Sequence, residues 1–519
     1  MAESRVLTRS GWIEGSASTD GAVRVFKGIP YAEPPIGRLR WRAPQPVAPW
    51  QGVRPAKEFG PRSIQPNRPE RSIGYFGPET ESEDCLYLNI WTQGQGQANR
   101  PVMVWIHGGA FVVGSGALPL FDGEHLARAG AVLVTVNFRL GRLGFLTHPD
   151  LSRESGRGAS GNYGLLDQIA ALGWIRENIA AFGGDPQRVT LFGQSTGSVS
   201  VSLLMASPLA KGLIHRAIGQ SGARFASPSS SSAIAGGMQL LDSAERCGAE
   251  FVRTLGARSA DELRSRPAAE IQLWRPESAD PAAPNHPTDT AYPVFDGYLL
   301  PDTPHAIFAQ ARQNDVPLLT GSNENEGATM LSAGPLSRFL SASRSEFRDL
   351  FPAFLKLFPA ENDAQAIDAS RSAFGYRSFV WQNWTWASLQ ARTGRSKAYY
   401  YRFARVPPLP PDAAFLENTA EKLGAFHGAE IPYVFRNLQV RSWPWTDADR
   451  RLSAKISSYW LNFAANGDPN GDGLPDWPAF TPAGSQAMIF GDEAGIGRIA
   501  DEQRLAFWDT YYSRGRRSG

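Results

Sequence analysis

The stretch from Gly164 to Gly197, GLLDQIAALGWIRENIAAFGGDPQRVTLFGQSTG, constrains the fold more than any other. Apolar residues at helical spacing (Leu166, Ile169, Ala170, Leu172, Ile175, Ile179) stop at a glycine pair, Gly183 and Gly184. An apolar strand, RVTLFG, follows, and a serine then stands between two glycines as Gly193-x-Ser195-x-Gly197, ahead of a helix-compatible stretch. Two nearly all-apolar runs precede it, PVMVWIHGG (Pro101 to Gly109) and AVLVTVNF (Ala131 to Phe138), as strands buried on both faces should be. Between them FDGEHLARAG predicts a helix closed by Gly130. VPLLTGSN (Val316 to Asn323) and KAYYYRFA (Lys397 to Ala404) supply further strands. Strands alternating with helices in this order predict an α/β fold with a mostly parallel, doubly wound central sheet and helices on both faces.

The segment carrying Phe374, Tyr376, Phe379, Trp381, Trp384 and Trp386 predicts a helical cap region, read either as packing or as an aromatic pocket wall. SPSSSSAIAGG, Ser227 to Gly237, is a low-complexity loop. No internal repeat or linker divides the chain, so residues 1–519 are expected to form a single domain with cap insertions. Hydrophobic residues at 42% and charged residues at 20% suffice for a large core. With 52 basic against 50 acidic residues the net charge is +2, which provides no bulk field for nucleic acid or an anionic membrane. Two cysteines, Cys85 and Cys247, are too few for a disulfide framework and are expected to be free thiols. The N-terminus shows no apolar signal core and no run reaches about 18 apolar residues, so the expected location is cytoplasmic, without a membrane span.

A serine hydroxyl attacks a carbonyl only when it projects free of its backbone and a base takes its proton. A tight strand-to-helix turn supplies the projection and needs glycines two residues either side, which makes Ser195 the candidate nucleophile. The tetrahedral oxyanion requires fixed N–H donors, each worth about 3 kcal/mol. The sequence HGGAF, His107 to Phe111, follows a strand, so the backbone N–H groups of Gly109 and Ala110 are candidates, with that of Thr196 at the start of the next helix. Among seven histidines, His427 in GAFHGAEIPYVF has glycines on either side, Gly424 and Gly428, that suit a loop exposing its ring. For the orienting acid, GSNENEG follows a strand and offers both Glu324 and Glu326.

The chain resembles the type-B carboxylesterase family, which includes bacterial para-nitrobenzyl esterases, carboxylesterases and cholinesterases. The resemblance is carried by FKGIPYAEPPIGRLRWRAP (26–44), SEDCLYLNIW (82–91), PVMVWIHGGAF (101–111) and VNFRLGRLGFL (136–146). It continues through the stretch 161–197, PVFDGYLLP (293–301), HGAEIPYVF (427–435) and NFAANGDPNGDGLPDWPAF (462–480). It implies an α/β-hydrolase fold and cleavage of carboxylic esters through an acyl-enzyme, with no metal or organic cofactor. Position by position it assigns the nucleophile to Ser195, the acid to Glu326 rather than Glu324, and the base to His427. The oxyanion donors fall on Gly109, Ala110 and Thr196, Ser221 matches a supporting serine, and Glu83 and Arg139 fall where relatives have a buried ion pair.

The chain departs from the family beside the nucleophile, where relatives usually carry glutamate and this chain has Gln194. A neutral amide supplies no charge to the imidazolium formed on His427, so a lower rate or a displaced pH profile is expected. The DPNGDG segment (Asp468 to Gly473) imitates an EF-hand start, but Ala479 occupies the bidentate glutamate position, against a calcium site. The leading expectation is a serine esterase for small-molecule, mainly uncharged esters, with Phe111, Phe225 and the 374–386 aromatics as candidate pocket residues. A carbamate or activated-amide hydrolase at the same site is the alternative. A non-catalytic binding protein on this fold is disfavoured because all three triad residues are present.

Overall fold

In the computed structural model the described residues are 4–67, 77–93, 99–228, 238–274, 292–329, 334–411, 413–415, 418–482 and 486–517. The serine-rich loop expected at Ser227 to Gly237 lies, from residue 229 on, outside them. An 11-stranded sheet organises the molecule. In chain order its strands are β1 (Ser16–Ala17), β2 (Arg24–Pro30), β3 (Tyr87–Thr92), β4 (Arg100–Ile106), β5 (Val132–Val136) and β6 (Gly184–Gln194). They continue with β7 (Arg216–Gln220), β8 (Leu318–Asn323), β9 (Ala398–Phe403), β10 (Gln486–Phe490) and β11 (Ala494–Arg498).

The spatial order is β11-β10-β9-β8-β7-β6-β4-β5-β3-β2-β1. Pairing is parallel from β5 through β4, β6, β7, β8 and β9 to β10, and antiparallel at both margins. The chain runs from β4 to β5 on one side, then crosses to β6 on the other. In open α/β sheets such a reversal leaves a crevice beyond the carboxyl ends of the strands, where ligands bind.

Alternation along each strand divides the core into two layers. On β4, Val102, Val104 and Ile106 join one buried cluster while Met103 and Trp105 join the other. The first layer is closed by helices α1 (Tyr163–Asn178), α2 (Thr196–Ala206) and α3 (Trp381–Thr393), the second by α4 (Asp447–Asn466). Trp105 illustrates the cost of disturbing this packing: its ring meets Phe121, Phe192 and Phe435 at centroid distances of 5.0, 4.8 and 5.0 Å. Truncating such a fully buried tryptophan to alanine costs about 3–5 kcal/mol.

The expected Glu83–Arg139 ion pair is not formed. Glu83 takes both forks of Arg40, including Arg40 Nη2 to Oε2 at 2.8 Å. Arg139 instead pairs with Asp167 of α1, Nε to Oδ2 at 2.8 Å and Nη2 to Oδ1 at 2.6 Å, while its backbone N–H also donates to Oδ2 at 3.1 Å. Both partners are fully buried, and a short carboxylate that also accepts the backbone N–H satisfies a dry guanidinium better than Glu83, near the surface.

The aromatic segment serves the expected packing role. Trp381 and Trp386 are fully buried in the core, and Trp381 stacks on Tyr512 of α5 (Glu502–Arg517). Phe379, in the turn before α3, reaches the candidate base described below. Cys85 and Cys247 are both free. Among the described residues no helix is long and apolar enough to cross a membrane.

Candidate active site

Ser195 sits at the carboxyl end of β6 with φ 57° and ψ −125°, an unfavourable backbone state for any residue with a Cβ. Its N–H donates to Gln220 O and its own carbonyl accepts from Val199 N, both at 2.9 Å, which clamps the turn between β7 and α2. The flanking glycines are required sterically. A Cβ on Gly197 would lie 2.0 Å from Ile106 O, and one on Gly193 would lie 2.6 Å from Gly197 C. Strand and helix can therefore leave Ser195 at this angle only because neither neighbour has a side chain.

Two more strained residues adjoin it across the crevice. After β4, Gly109 has φ 121°, and Ala110 and Phe111 follow with φ 59° and 60°. A Cβ on Gly108 would come within 2.9 Å of Ser195 Cβ, so this loop lies directly against the elbow. The N–H groups of Gly109 and Ala110 donate to no described residue. The Thr196 N–H is the first of α2 and belongs to the turn whose N–H groups lack partners inside the helix. The Thr196 side chain adds a further link: Oγ1 accepts from Phe111 N at 3.3 Å and ties the two candidate donor segments together.

The candidate base and acid meet through a local strand-like pairing. Asn325 N donates to Ala425 O at 3.0 Å and Asn325 Oδ1 accepts from Ala425 N at 2.9 Å, drawing the loop before His427 against the end of β8. His427 Nδ1 then donates to Glu326 Oε2 at 2.5 Å, and Glu326 Oε1 accepts from Asn323 N at 2.7 Å. Both side chains are buried, with exposures of 6% and 1%. Glu324, the other acid left open by the residues, points to the surface and pairs with Arg402 at 3.0 Å. Of the other histidines, His107 stacks on Phe138, His148 accepts from Asp150 N and His215 from Val189 N. His286 lies outside the described residues.

Because Nδ1 donates to a carboxylate, Nε2 is the accepting nitrogen of the neutral ring. Its partner is the side-chain amide of Gln194, Nε2 to Nε2 at 3.1 Å. The Phe379 ring covers the imidazole at a centroid distance of 4.3 Å. Behind Glu326 lies a second carboxylate that sequence reasoning misses. Glu430 is fully buried and accepts from Asn323 Nδ2 at 2.6 Å and Gln220 Nε2 at 3.1 Å. Burial and the nearby Glu326 charge hold its pKa above the usual carboxylate range. Its position three residues after His427 was the available signal. Ser221 is fully buried at the same sheet end, with φ 53° and its N–H on Gly321 O at 2.9 Å. The Asp468 carboxylate of the EF-hand-like segment is occupied by the Tyr399 hydroxyl at 2.7 Å and by Asn470.

The family model described as "Carboxylesterase family" matches residues 2–508. The chain belongs to the carboxylesterase family. It is accordingly a carboxylic ester hydrolase on the α/β-hydrolase fold, in a family that acts on small-molecule esters. It is 37% identical over 503 residues to a fumonisin B1 esterase of Sphingopyxis macrogoltabida, covering 94% of this chain and 87% of that protein. A para-nitrobenzyl esterase of Bacillus subtilis (strain 168) is 34% identical over 516 residues, covering 97% and 98% of the two chains. A solved structure of a PNB esterase superposes with a TM-score of 0.81 at 32% identity, covering 98% of this carboxylesterase and 100% of that chain. Of the aromatics expected to line its pocket, Phe111 and Phe225 are committed to packing, against Phe145 and Tyr292 and against Phe308 and Trp386.

Proposed function

We propose that this carboxylesterase cleaves its esters through an acyl-enzyme on Ser195, with His427 as general base and Glu326 as the acid that orients it. The observation that carries the proposal is the 2.5 Å bond between His427 Nδ1 and Glu326 Oε2, formed beside a serine strained at an elbow. His427 Nε2 takes the hydroxyl proton as Ser195 Oγ attacks the carbonyl carbon. The oxyanion forms against the N–H groups of Gly109, Ala110 and Thr196, donors that need no reorganisation and that the α2 dipole reinforces. His427 returns the proton to the leaving alcohol, then takes one from water as its oxygen adds to the acyl carbon, and gives it to Ser195 Oγ as the acyl–Oγ bond breaks and the acid leaves. Glu326 stays ionised throughout and stabilises the imidazolium.

Gln194 must release Nε2 before Ser195 can be deprotonated, because its amide donates to the same lone pair. The chain is proposed to act as one catalytic unit, since the donors, nucleophile, acid and base come from segments spanning residues 107 to 427 of one sheet. Covalent labelling by a fluorophosphonate tests the reading: the wild type should label and Ser195→Ala should not. An unlabelled wild type, or a variant that labels equally, refutes it.

A further inference from the structure

Several buried cations of this protein have evident partners, but one close to Ser195 has no acid of its own among the described residues. Arg139 is paired with Asp167, Arg40 with Glu83, and Arg142 with three backbone carbonyls. Arg224 is 4% exposed, no described carboxylate lies within ion-pair reach of it, and its buried Nε makes no hydrogen bond. One nitrogen, Nη2, donates to the Tyr292 hydroxyl at 2.6 Å. Keeping a guanidinium out of water without a counter-charge costs several kcal/mol, a cost that an anion entering beside it would offset.

Its place in the fold says where that anion would sit. Two residues earlier, Gly222 packs so tightly on the nucleophile that a Cβ there would lie 2.2 Å from Ser195 O. Two residues of chain span at most about 7 Å, so Arg224 projects from the wall of the elbow. Its partner Tyr292 meets the Phe111 ring edge-on at 5.2 Å, and Phe111 N is bonded to Thr196 Oγ1. Ser195, Gly222, Arg224, Tyr292, Phe111 and Thr196 thus form a closed ring of neighbours on the oxyanion side. None of the contacts in that ring involves His427, the group that protonates the leaving alcohol. The ring therefore borders the acyl half of a bound ester.

We propose that Arg224 is a carboxylate anchor for the acyl group, so that the preferred substrates are half-esters of short dicarboxylic acids. This rests on the Ser195 reading above and replaces the uncharged acyl group expected from sequence. The Tyr292 hydroxyl holds one edge of the guanidinium, and the buried Nε, without a hydrogen bond among the described residues, is the donor left for a carboxylate.

The test compares two esters of equal acyl chain length, mono-p-nitrophenyl glutarate and p-nitrophenyl pentanoate, by the ratio of their kcat/KM values. In the wild type the ratio should be one or higher. In Arg224→Met it should fall by about tenfold to a hundredfold, as expected for one lost charge-assisted hydrogen bond, and Arg224→Lys should recover part of it. A wild-type ratio below one tenth, or a ratio unchanged in Arg224→Met, overturns the proposal. Should Arg224→Met fail to fold, inhibition of the wild type decides: glutarate at least tenfold stronger than pentanoate supports the anchor, and equal inhibition removes it. Failure of the Ser195 reading is distinct, since neither ester would then be turned over and Ser195 would not label.

Discussion

Gln194 and His427 are joined by a hydrogen bond between the glutamine amide and Nε2 of the imidazole, at 3.1 Å. The nitrogen proposed to accept the Ser195 proton is thereby engaged in the resting state. A carboxylate in place of this amide would set a negative charge beside the imidazole and stabilise its protonated form. Gln194→Glu is therefore expected to move the acidic limb of the kcat/KM profile about one unit to higher pH. Initial rates on a neutral ester between pH 5 and 9 measure it, and superimposable profiles would remove Gln194 from the mechanism.

Glu326→Gln keeps the shape of the acid but replaces a carboxylate with an amide facing Nδ1. The tautomer that presents a lone pair at Nε2 loses its support, so kcat is expected to fall by on the order of 10³ to 10⁴. Glu324→Gln, which touches only the surface pair with Arg402, is the comparison and should change kcat less than about twofold. Equal losses in the two variants would contradict the assignment of the acid.

The elbow glycines give a steric prediction. Gly197→Ala places a methyl group 2.0 Å from the Ile106 carbonyl, a backbone atom that cannot turn aside. Destabilisation of about 4 kcal/mol or more is expected. Gly173, inside α1 with nothing within 4 Å of an added methyl group, should tolerate alanine and gain about 0.5–1 kcal/mol. Denaturant midpoints of the two variants, which should move in opposite directions, provide the measurement.

Asp449 caps α4 and gathers Arg405 Nε at 2.8 Å, the Tyr433 hydroxyl at 2.8 Å and the Thr446 hydroxyl at 2.6 Å. Burial raises its pKa, but the hydrogen bonds from Arg405 and Thr446 outweigh it and bring the value down to about 2. A carboxyl depressed in the folded state stabilises the protein above its unfolded value near 4, and that contribution disappears as the pH falls from there through about 2. Asp449→Asn should cost on the order of 3 kcal/mol at pH 7 and should show a shallower fall of Tm between pH 4 and 2.5 than the wild type. Parallel Tm curves would show that this carboxylate does not titrate in that range.

How much of the site could be read in the sequence depended on how local its chemistry is. Gly193, Ser195 and Gly197 lie within five residues, and an apolar strand with a following helix determines their geometry, so the elbow was legible. The glycine-rich donor loop after β4 was legible for the same reason. Glu324 and Glu326 were not separable by composition or spacing, because a turn after β8 can direct either to the crevice. The Asn325 pairing with Ala425, which brings together segments a hundred positions apart, turns Glu326 inward and leaves Glu324 on Arg402.

The amino-acid order by itself determined the strand and helix succession, the parallel sheet and the strained serine, because these follow from apolar periodicity and from where a Cβ is forbidden. Only the tertiary structure decided which charges meet. Arg139 went to Asp167 and not Glu83, Gln194 went to the imidazole, and Arg224 was left beside Ser195 with no acid among the described residues. Ion pairs and hydrogen bonds act over a few ångströms, and the distances between groups far apart in the chain are set by how the two core layers pack, which no short stretch of sequence encodes.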